Sequence, residues 1–445
     1  MAEGTGGSVK TVGNSRTLML TNVIAHLLLA VLLRADPCSE RREALRKEMT
    51  EGVLVIWGAN EREHELTGQR SDFFYLTGLD QANAALLLFP EGKRLHPRGK
   101  ALAEILYLPD RDSQSEMWTG KVLGPDEEAE KATGIEKVLD ISRLNGHLEG
   151  FLLGETLLYV SADMAGLDAP LTRDQIWINS LRERNPFIAI KDLSPTLAVM
   201  RQVKSPEELD AIRKAIELTG RAIDEAMKIA RPGIFEYQIE STVLYFFRYL
   251  GGEGPSFPPI VGSGPNSAVL HYSKNDRRME EGDLIVLDIG ARFGHYAADI
   301  TRTVPVSGYF TPEQAEIYDI VLEAQRLAIE KIRPGASYRE DIDQTARNYI
   351  REKGYEEYFT HGVGHFVGLE VHDAGDYESP LQPGMVLTIE PGIYLPDKEI
   401  GVRIEDMVLV TESGCEILSG AIPRARSEIE AAMQGALDIR LQNTH

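Results

Sequence analysis

Two signatures in this chain occur twice at one spacing, and together they constrain its fold. Arg231-Pro232-Gly233 recurs 102 positions on as Arg333-Pro334-Gly335. Gly282-Asp283-Leu284-Ile285-Val286-Leu287-Asp288 recurs, again 102 positions on, as Gly384-Met385-Val386-Leu387-Thr388-Ile389-Glu390. Pro-Gly alone is common in turns. Two independent signatures sharing one offset point to duplication. Each Pro-Gly precedes an amphipathic stretch ending at glycine, Gly251 or Gly354, and each apolar strand ends in a carboxylate. Such a domain has two similar halves facing each other, and a pseudo-twofold axis brings Asp288 and Glu390 to its centre. The copies differ in detail. Ser337 and Glu340 form a capping box in the second, whereas Phe235 cannot cap the first.

The duplicated region does not fill the chain of 445 residues. Its start is marked by Ser205-Pro206-Glu207-Glu208, with Ser at the N-cap, Pro at the first helical position and Glu three residues after the Ser. The following helix places Leu209, Ile212, Ile216 and Ile223 on one face. We place this second domain over 196–435, with a tail over 436–445. Before it, 39–195 reads as an α/β domain: a charged helix over Ser39 to Met49, then apolar strands at Val53 to Trp57, Ala84 to Phe89 and Glu104 to Leu108, separated by helical stretches. Residues 1–38 form a leader. Its apolar run from Leu27 to Leu33 has the character of an export signal, weakened by Asn22, His26 and the lack of a clean small-x-small cleavage site. A cytoplasmic location is slightly favoured, and no later segment could span a membrane. Cys38 and Cys415 are too few and too far apart for a disulfide framework. A net charge of −22 argues against nucleic acid as a partner.

That acid excess has a use. Asp288 closes an apolar strand and Asp299 follows 11 residues later, with Gly290 and Gly294 between them to turn a hairpin. The second copy has Glu390, the turn Pro391-Gly392, and Glu405 within Val402-Arg403-Ile404-Glu405. Four carboxylates at strand ends in one cleft repel strongly unless cations relieve them. Two divalent ions match four carboxylates in charge. Three of the ten histidines fall within His361-Gly362-Val363-Gly364-His365-Phe366-Val367-Gly368-Leu369-Glu370-Val371-His372, between the two carboxylate pairs. That clustering points to metal binding and proton handling. His271 stands apart, after the glycine-rich Val261-Gly262-Ser263-Gly264.

These stretches carry a resemblance. Residues 196–435 resemble the catalytic domain of the pita-bread metallopeptidases, in the group of Xaa-Pro aminopeptidase (aminopeptidase P) and prolidase. The matching segments are Gly262 through Tyr272, Asp288 through Thr303, His361 through Asp373, Glu390 through Tyr394 and Gly401 through Asp406. Arg70-Ser71-Asp72-Phe73-Phe74-Tyr75-Leu76-Thr77-Gly78 extends the resemblance to the first domain. It implies an α/β (α+β) protein, with an N-terminal α/β domain followed by a pseudo-twofold pita-bread domain of creatinase/aminopeptidase type.

The resemblance further implies five metal ligands. Asp299 and Glu405 would bridge two divalent ions, Asp288 would bind one, and His365 and Glu390 the other. The oxygen-rich set suits Mn²⁺ and accepts Co²⁺, Fe²⁺ or Zn²⁺. The expected reaction is hydrolysis, by a metal-activated water, of the bond between an N-terminal residue and a following proline. His271 and His372 are the expected oxyanion donors, Glu390 the proton shuttle, His361 the wall of the proline pocket, and Arg403 an anchor for substrate or for Glu405. Tyr394 and Asp72 are expected to touch substrate, Asp72 at its amine. The loop from Asp373 to Ile389 is short, which favours an open site and an aminopeptidase over a prolidase that cleaves Xaa-Pro dipeptides. A remote alternative is a pita-bread scaffold without activity. Relatives are commonly dimers or tetramers, so a homo-oligomer is expected.

Overall fold

The structure is a computed structural model. It describes residues 37–442 other than 155, 156, 163 and 165, with the backbone alone at 119 and 435–442. The expected export signal falls outside the described residues. A helix over Pro37–Lys47 already includes the last two positions assigned to the leader. Among the described residues no helix is long and apolar enough to cross a membrane. The chain divides into two compact units after Leu193.

The first unit is built on a six-stranded mixed sheet. Its strands are Val53–Trp57 (β1), Ala85–Lys93 (β2), Leu102–Leu108 (β3), Val138–Asp140 (β4), Leu157–Ser161 (β5) and Ala189–Asp192 (β6), in the spatial order β4-β3-β2-β1-β5-β6. β1 reads as an unbroken apolar run because it lies inside the sheet with both faces covered, and Val53 to Ile56 are all buried. One face packs Val53, Val55, Leu87, Phe89 and Tyr107 against Leu148, Phe151 and Ile178 from helices over Leu144–Leu152 and Arg173–Arg184.

The second unit opens with a helix over Ser194–Gln202, and a longer one, Pro206–Ile229, starts as the sequence dictates. Ser205 accepts from the Glu208 N–H, and the Glu208 carboxylate accepts from the Ser205 N–H at 2.8 Å. Ile212, Ile216 and Ile223 are buried, and so is Glu208 itself, which also accepts from Tyr296 Oη at 2.8 Å. At the other end a helix over Arg426–Gln442 runs through position 435, held by buried Ile429 and Met433.

The duplication is visible in the strands between these helices. The first copy contains Gly254–Pro255 (β7), Ile260–Ser263 (β8), Leu284–Ile289 (β9), Ala291–Phe293 (β10), Tyr296–Ala297 (β11) and Ile300–Pro305 (β12). The second contains Val386–Ile389 (β13), Gly392–Leu395 (β14), Ile400–Arg403 (β15), Asp406–Val410 (β16) and Cys415–Ile417 (β17). In each copy two long strands pair antiparallel, β9 with β12 and β13 with β16, and a hairpin, β10–β11 or β14–β15, is thrown out between them. Chain leaving one strand therefore returns beside it.

The copies differ where they hold their loops. The helix Glu236–Tyr249 begins without a side-chain cap from Phe235, although Gln238 reaches back to the Phe235 N–H at 2.9 Å. In the second copy Ser337 accepts from the Glu340 N–H, but the return bond to the Ser337 N–H comes from Asp341, at 2.8 Å, and not from Glu340. The reason is that Tyr338–Asp343 is π-helical, so one extra residue fits in the turn and shifts the reciprocal carboxylate by one.

Candidate metal centre

The centre is assembled from strand ends. Asp288 is the penultimate residue of β9, and Asp299 directly precedes β12. Glu390 directly follows β13, and Glu405 directly precedes β16. The hairpins between them bring the acids of each pair back to one edge. The two halves then meet through β12: Thr301 Oγ1 donates to Glu405 Oε2 at 2.9 Å, and the Glu405 N–H donates to Thr301 O at 3.1 Å. Thr303 Oγ1 donates to Arg403 O at 2.8 Å.

His365 joins the acids from a loop with no regular structure of its own. Its N–H donates to Thr388 Oγ1 at 2.9 Å, and the Thr388 N–H returns to His365 O at 2.8 Å. Tyr338 Oη donates to Gly364 O on one side, and the Phe366 N–H donates to Tyr377 Oη at 3.1 Å on the other. Gly364 is required here, because a Cβ would lie 1.9 Å from Thr388 O. The His365 Nδ1–H faces Phe366 O at 3.2 Å, which turns Nε2 toward the acids, 3.4 Å from both Asp299 Oδ2 and Glu390 Oε1, as a candidate ligand atom.

This arrangement is electrostatically incomplete without a cation. Asp288 Oδ1, Asp299 Oδ1 and Glu405 Oε1 are buried and have no hydrogen-bond partner among the described residues. Burial, followed by repulsion from the neighbouring acids, pushes the Asp299 and Glu405 carboxyls well above the usual carboxylate range. Burial raises Glu390 as well, against the pull of His365 and Arg403. Buried carboxylate oxygens aimed at one point are costly unless something binds them. The ligand atoms of Asp299, His365 and Glu405 lie within 4.8 Å of one another. The donor set fits a hard or borderline divalent ion.

Around the acids lies a cavity of about 740 Å³ lined by Asp288, Asp299, His365, Glu390, His271, His361, His372 and Arg403. Arg403 is buried, and its Nη2 donates to Asp288 Oδ2 at 2.7 Å. Its Nη1 donates to Tyr394 Oη at 2.9 Å, and Tyr394 Oη lies 2.8 Å from His361 Nε2. The His361 Nδ1 lies 2.8 Å from Gly362 O. This chain of contacts has one consistent direction: Arg403 donates to Tyr394, Tyr394 to His361, and His361 to a carbonyl. It requires a neutral His361, and burial together with Arg403 lowers that imidazole to about 4. His372 packs edge-on to His365 with ring centroids 4.2 Å apart, and burial, followed by the neighbouring His365 and His271, lowers its imidazole below the ordinary histidine range.

Two family models match the chain, "Aminopeptidase P, N-terminal domain" over residues 38–159 and "Metallopeptidase family M24" over residues 210–412. Xaa-Pro aminopeptidase of Escherichia coli is 36% identical over 434 residues, spanning 89% of this chain and 97% of its own. The chain belongs to metallopeptidase family M24. The M24 assignment makes this a pita-bread metallopeptidase whose chemistry requires divalent metal ions. A solved structure of an Escherichia coli aminopeptidase P variant in complex with substrate superimposes with a TM-score of 0.79 at 34% identity, over 90% of this chain and 98% of that one. Xaa-Pro dipeptidase of Pyrococcus furiosus is 40% identical over 263 residues, 58% of this chain and 74% of its own.

Of the candidate site residues in the second unit of this M24 chain, all but Tyr394 and Glu405 line the cavity, and Tyr394 bonds to Arg403, which does. Glu405 lies behind them, fully buried, within reach of Asp299 and His365. Asp72 belongs to the first unit, where it sits in the first turn of the helix Ser71–Thr77 and accepts from Ser161 Oγ at 2.6 Å. Sequence reading overlooked Thr301, Thr388 and the apolar part of the lining, Phe257, Leu270, Val371 and Tyr377. Strand alternation could have found the threonines. Thr301 stands two residues after Asp299 and Thr388 two before Glu390, so each shares a face with a carboxylate.

Proposed function

We infer that the chain is an Xaa-Pro aminopeptidase, releasing the N-terminal residue from peptides with proline in second place. The observation that carries this reading is the set of buried carboxylate oxygens, without hydrogen-bond partners among the described residues, beside a cavity lined by four histidines and an apolar wall. We propose two divalent ions, manganese first, held by Asp288, Asp299, His365, Glu390 and Glu405. When bound, they supply Lewis acidity toward water and the scissile carbonyl.

The chain's own residues supply the rest. Glu390, raised by burial and set beside His365, accepts a proton from the attacking water and delivers it to the proline nitrogen. That delivery is essential because a prolyl amide nitrogen bears no hydrogen and leaves only when protonated. His372 and His271 donate N–H groups to the carbonyl oxygen as it gains charge. Neutral His361, oriented by Tyr394 and Arg403, forms a wall for the pyrrolidine ring together with Leu270 and Val371. Asp72 is the proposed partner of the substrate amine, and a homo-oligomer is the proposed assembly.

The test compares Arg-Pro-Pro with Gly-Pro, using metal-stripped protein with and without added Mn²⁺, and repeats the assay with Glu405→Ala. Manganese-dependent release of Arg, lost in Glu405→Ala, is expected, with little Gly-Pro cleavage. Cleavage of the dipeptide alone would make the enzyme a prolidase. Metal binding without cleavage of either would overturn the substrate assignment.

A further inference from the structure

A charge cluster with no part in the proposed reaction lies behind the loop that carries His372. Residues 370–373 form a bend whose middle residues, Val371 and His372, line the cavity. The residues on either side are held from the protein interior. Arg201 Nη2 donates to Glu370 Oε1 at 3.2 Å and also to Asp373 Oδ1. Lys204 Nζ donates to Asp373 Oδ2 at 3.1 Å and to the Arg201 carbonyl at 2.7 Å. One guanidinium thus spans both ends of the bend, and an ammonium locks the second end.

The cluster is deeply placed. The side chains of Arg201, Lys204 and Asp373 are 6%, 0% and 1% exposed. The backbone is shaped around them: a Cβ at Gly368 would lie 2.0 Å from Asp373 Oδ2 and 2.9 Å from Lys204 Nζ. The Asp373 N–H also donates to Phe366 O at 2.9 Å, which ties the bend to the residue after His365. Desolvating two cations and a carboxylate is a poor way to gain stability, and well-packed apolar side chains would serve as well or better. What such a cluster does supply is a fixed geometry. Charge-assisted hydrogen bonds are short and strong, the planar guanidinium adds directionality, and together these bonds fix both ends of a two-residue span.

We propose that Arg201 and Lys204 are positioning residues for Xaa-Pro hydrolysis: through Glu370 and Asp373 they set the Val371–His372 bend, and so the placement of the His372 ring against His365. The proposal rests on the aminopeptidase reading for its kinetic consequence. It also has a structural consequence that does not depend on that reading.

Lys204→Met removes the ammonium while leaving Arg201 to pair with Asp373. The manganese-loaded full-length variant should lose about 10- to 100-fold in kcat on Arg-Pro-Pro with KM within about twofold, the cost of misplacing a group that acts in the transition state. Lys204→Arg should recover most of that loss. In a His372→Ala background, Lys204→Met should change kcat less than about twofold, because two groups acting through one ring are not additive. Amide hydrogen exchange across 366–374 should quicken at least about tenfold in Lys204→Met and remain unchanged across β13–β16. Where Lys204→Met fails to fold, Glu370→Ala removes the half-exposed end of the same clamp, with a smaller kcat loss that again vanishes in the His372→Ala background.

Multiplicative effects of Lys204→Met and His372→Ala would overturn the proposal, as would unchanged exchange across the bend. A wild-type protein that does not cleave Arg-Pro-Pro refutes the aminopeptidase reading instead, and the exchange measurement then decides the clamp alone.

Discussion

Thr301→Val should weaken metal binding while leaving the fold intact. Thr301 is fully buried on β12, and valine reproduces its shape. Its hydroxyl has one hydrogen, which goes to Glu405 Oε2 at 2.9 Å, while its oxygen accepts from Arg403 Nε at 3.3 Å. The first bond orients a carboxylate whose other oxygen, Oε1, has no hydrogen-bond partner among the described residues. A hydrogen bond to a charged group contributes about 1.5–3 kcal/mol, and every 1.4 kcal/mol is tenfold in affinity. The expected loss is therefore about 10- to 100-fold in Mn²⁺ affinity, the range usual for a residue that orients a metal ligand. The second bond bears on stability: Arg403 Nε loses its acceptor, which costs the metal-free protein about 1–3 kcal/mol. The assay is a competition titration against a chromophoric chelator, paired with urea unfolding of the stripped protein. Unchanged affinity with lowered stability would refute the reasoning, since Thr301 would then only fill space and bond to Arg403.

Three further outcomes follow from the same geometry. The raised carboxyls of Asp299, Glu390 and Glu405 mean that the metal-free fold binds more protons than the unfolded chain above the ordinary values of 3.8 and 4.5, so its stability falls as pH rises from there; saturating Mn²⁺ should abolish or reverse that fall between pH 5 and 8, and equal slopes in thermal melts would contradict it. His361 runs the other way: its folded value near 4 lies below the ordinary 6.5, so stability is lost as pH falls through that window, by at most about 3 kcal/mol, and metal-loaded His361→Gln should lack that loss in acid titrations followed by circular dichroism. Gly364→Ala would set a Cβ 1.9 Å from Thr388 O, and the displaced His365 should leave a protein that folds weakly or retains less than one equivalent of metal by elemental analysis.

Much of this candidate centre was legible because its acids obey local rules. Asp288, Asp299, Glu390 and Glu405 sit where apolar strands begin or end, and their hairpin glycines mark the returns. What joins the halves was not legible. Thr301 meets Glu405 across 104 positions, and Arg302, fully buried, donates to Glu405 O and to Asp406 Oδ1 at 2.8 Å. No short-range periodicity encodes such pairings. The capping box expected at Ser337 and Glu340 failed for a related reason. The turn widened into a π-helix, and the same segment supplies Tyr338 to Gly364 O and Asp343 to the Val363 N–H at 2.9 Å. Local propensity gave way there to the demands of the histidine loop. The duplication itself kept one role at one position: Glu236, 102 residues before Tyr338, accepts from Ser263 N–H and Tyr272 Oη, at 2.7 and 2.8 Å, on either side of the His271 loop.

Gln325 is fully buried in the helix Pro312–Ile329, and its one side-chain nitrogen donates to Ile389 O at 2.9 Å and to Ile404 O at 3.0 Å. Those carbonyls belong to the residues just before Glu390 and Glu405. A single planar amide thus ties together the backbone just before two proposed ligands, at the ends of different strands. Moving the two strand ends apart would break a buried hydrogen bond, at a cost of about 1–3 kcal/mol. On the proposed ligand set, Gln325 acts one layer beneath the carboxylates, through backbone alone.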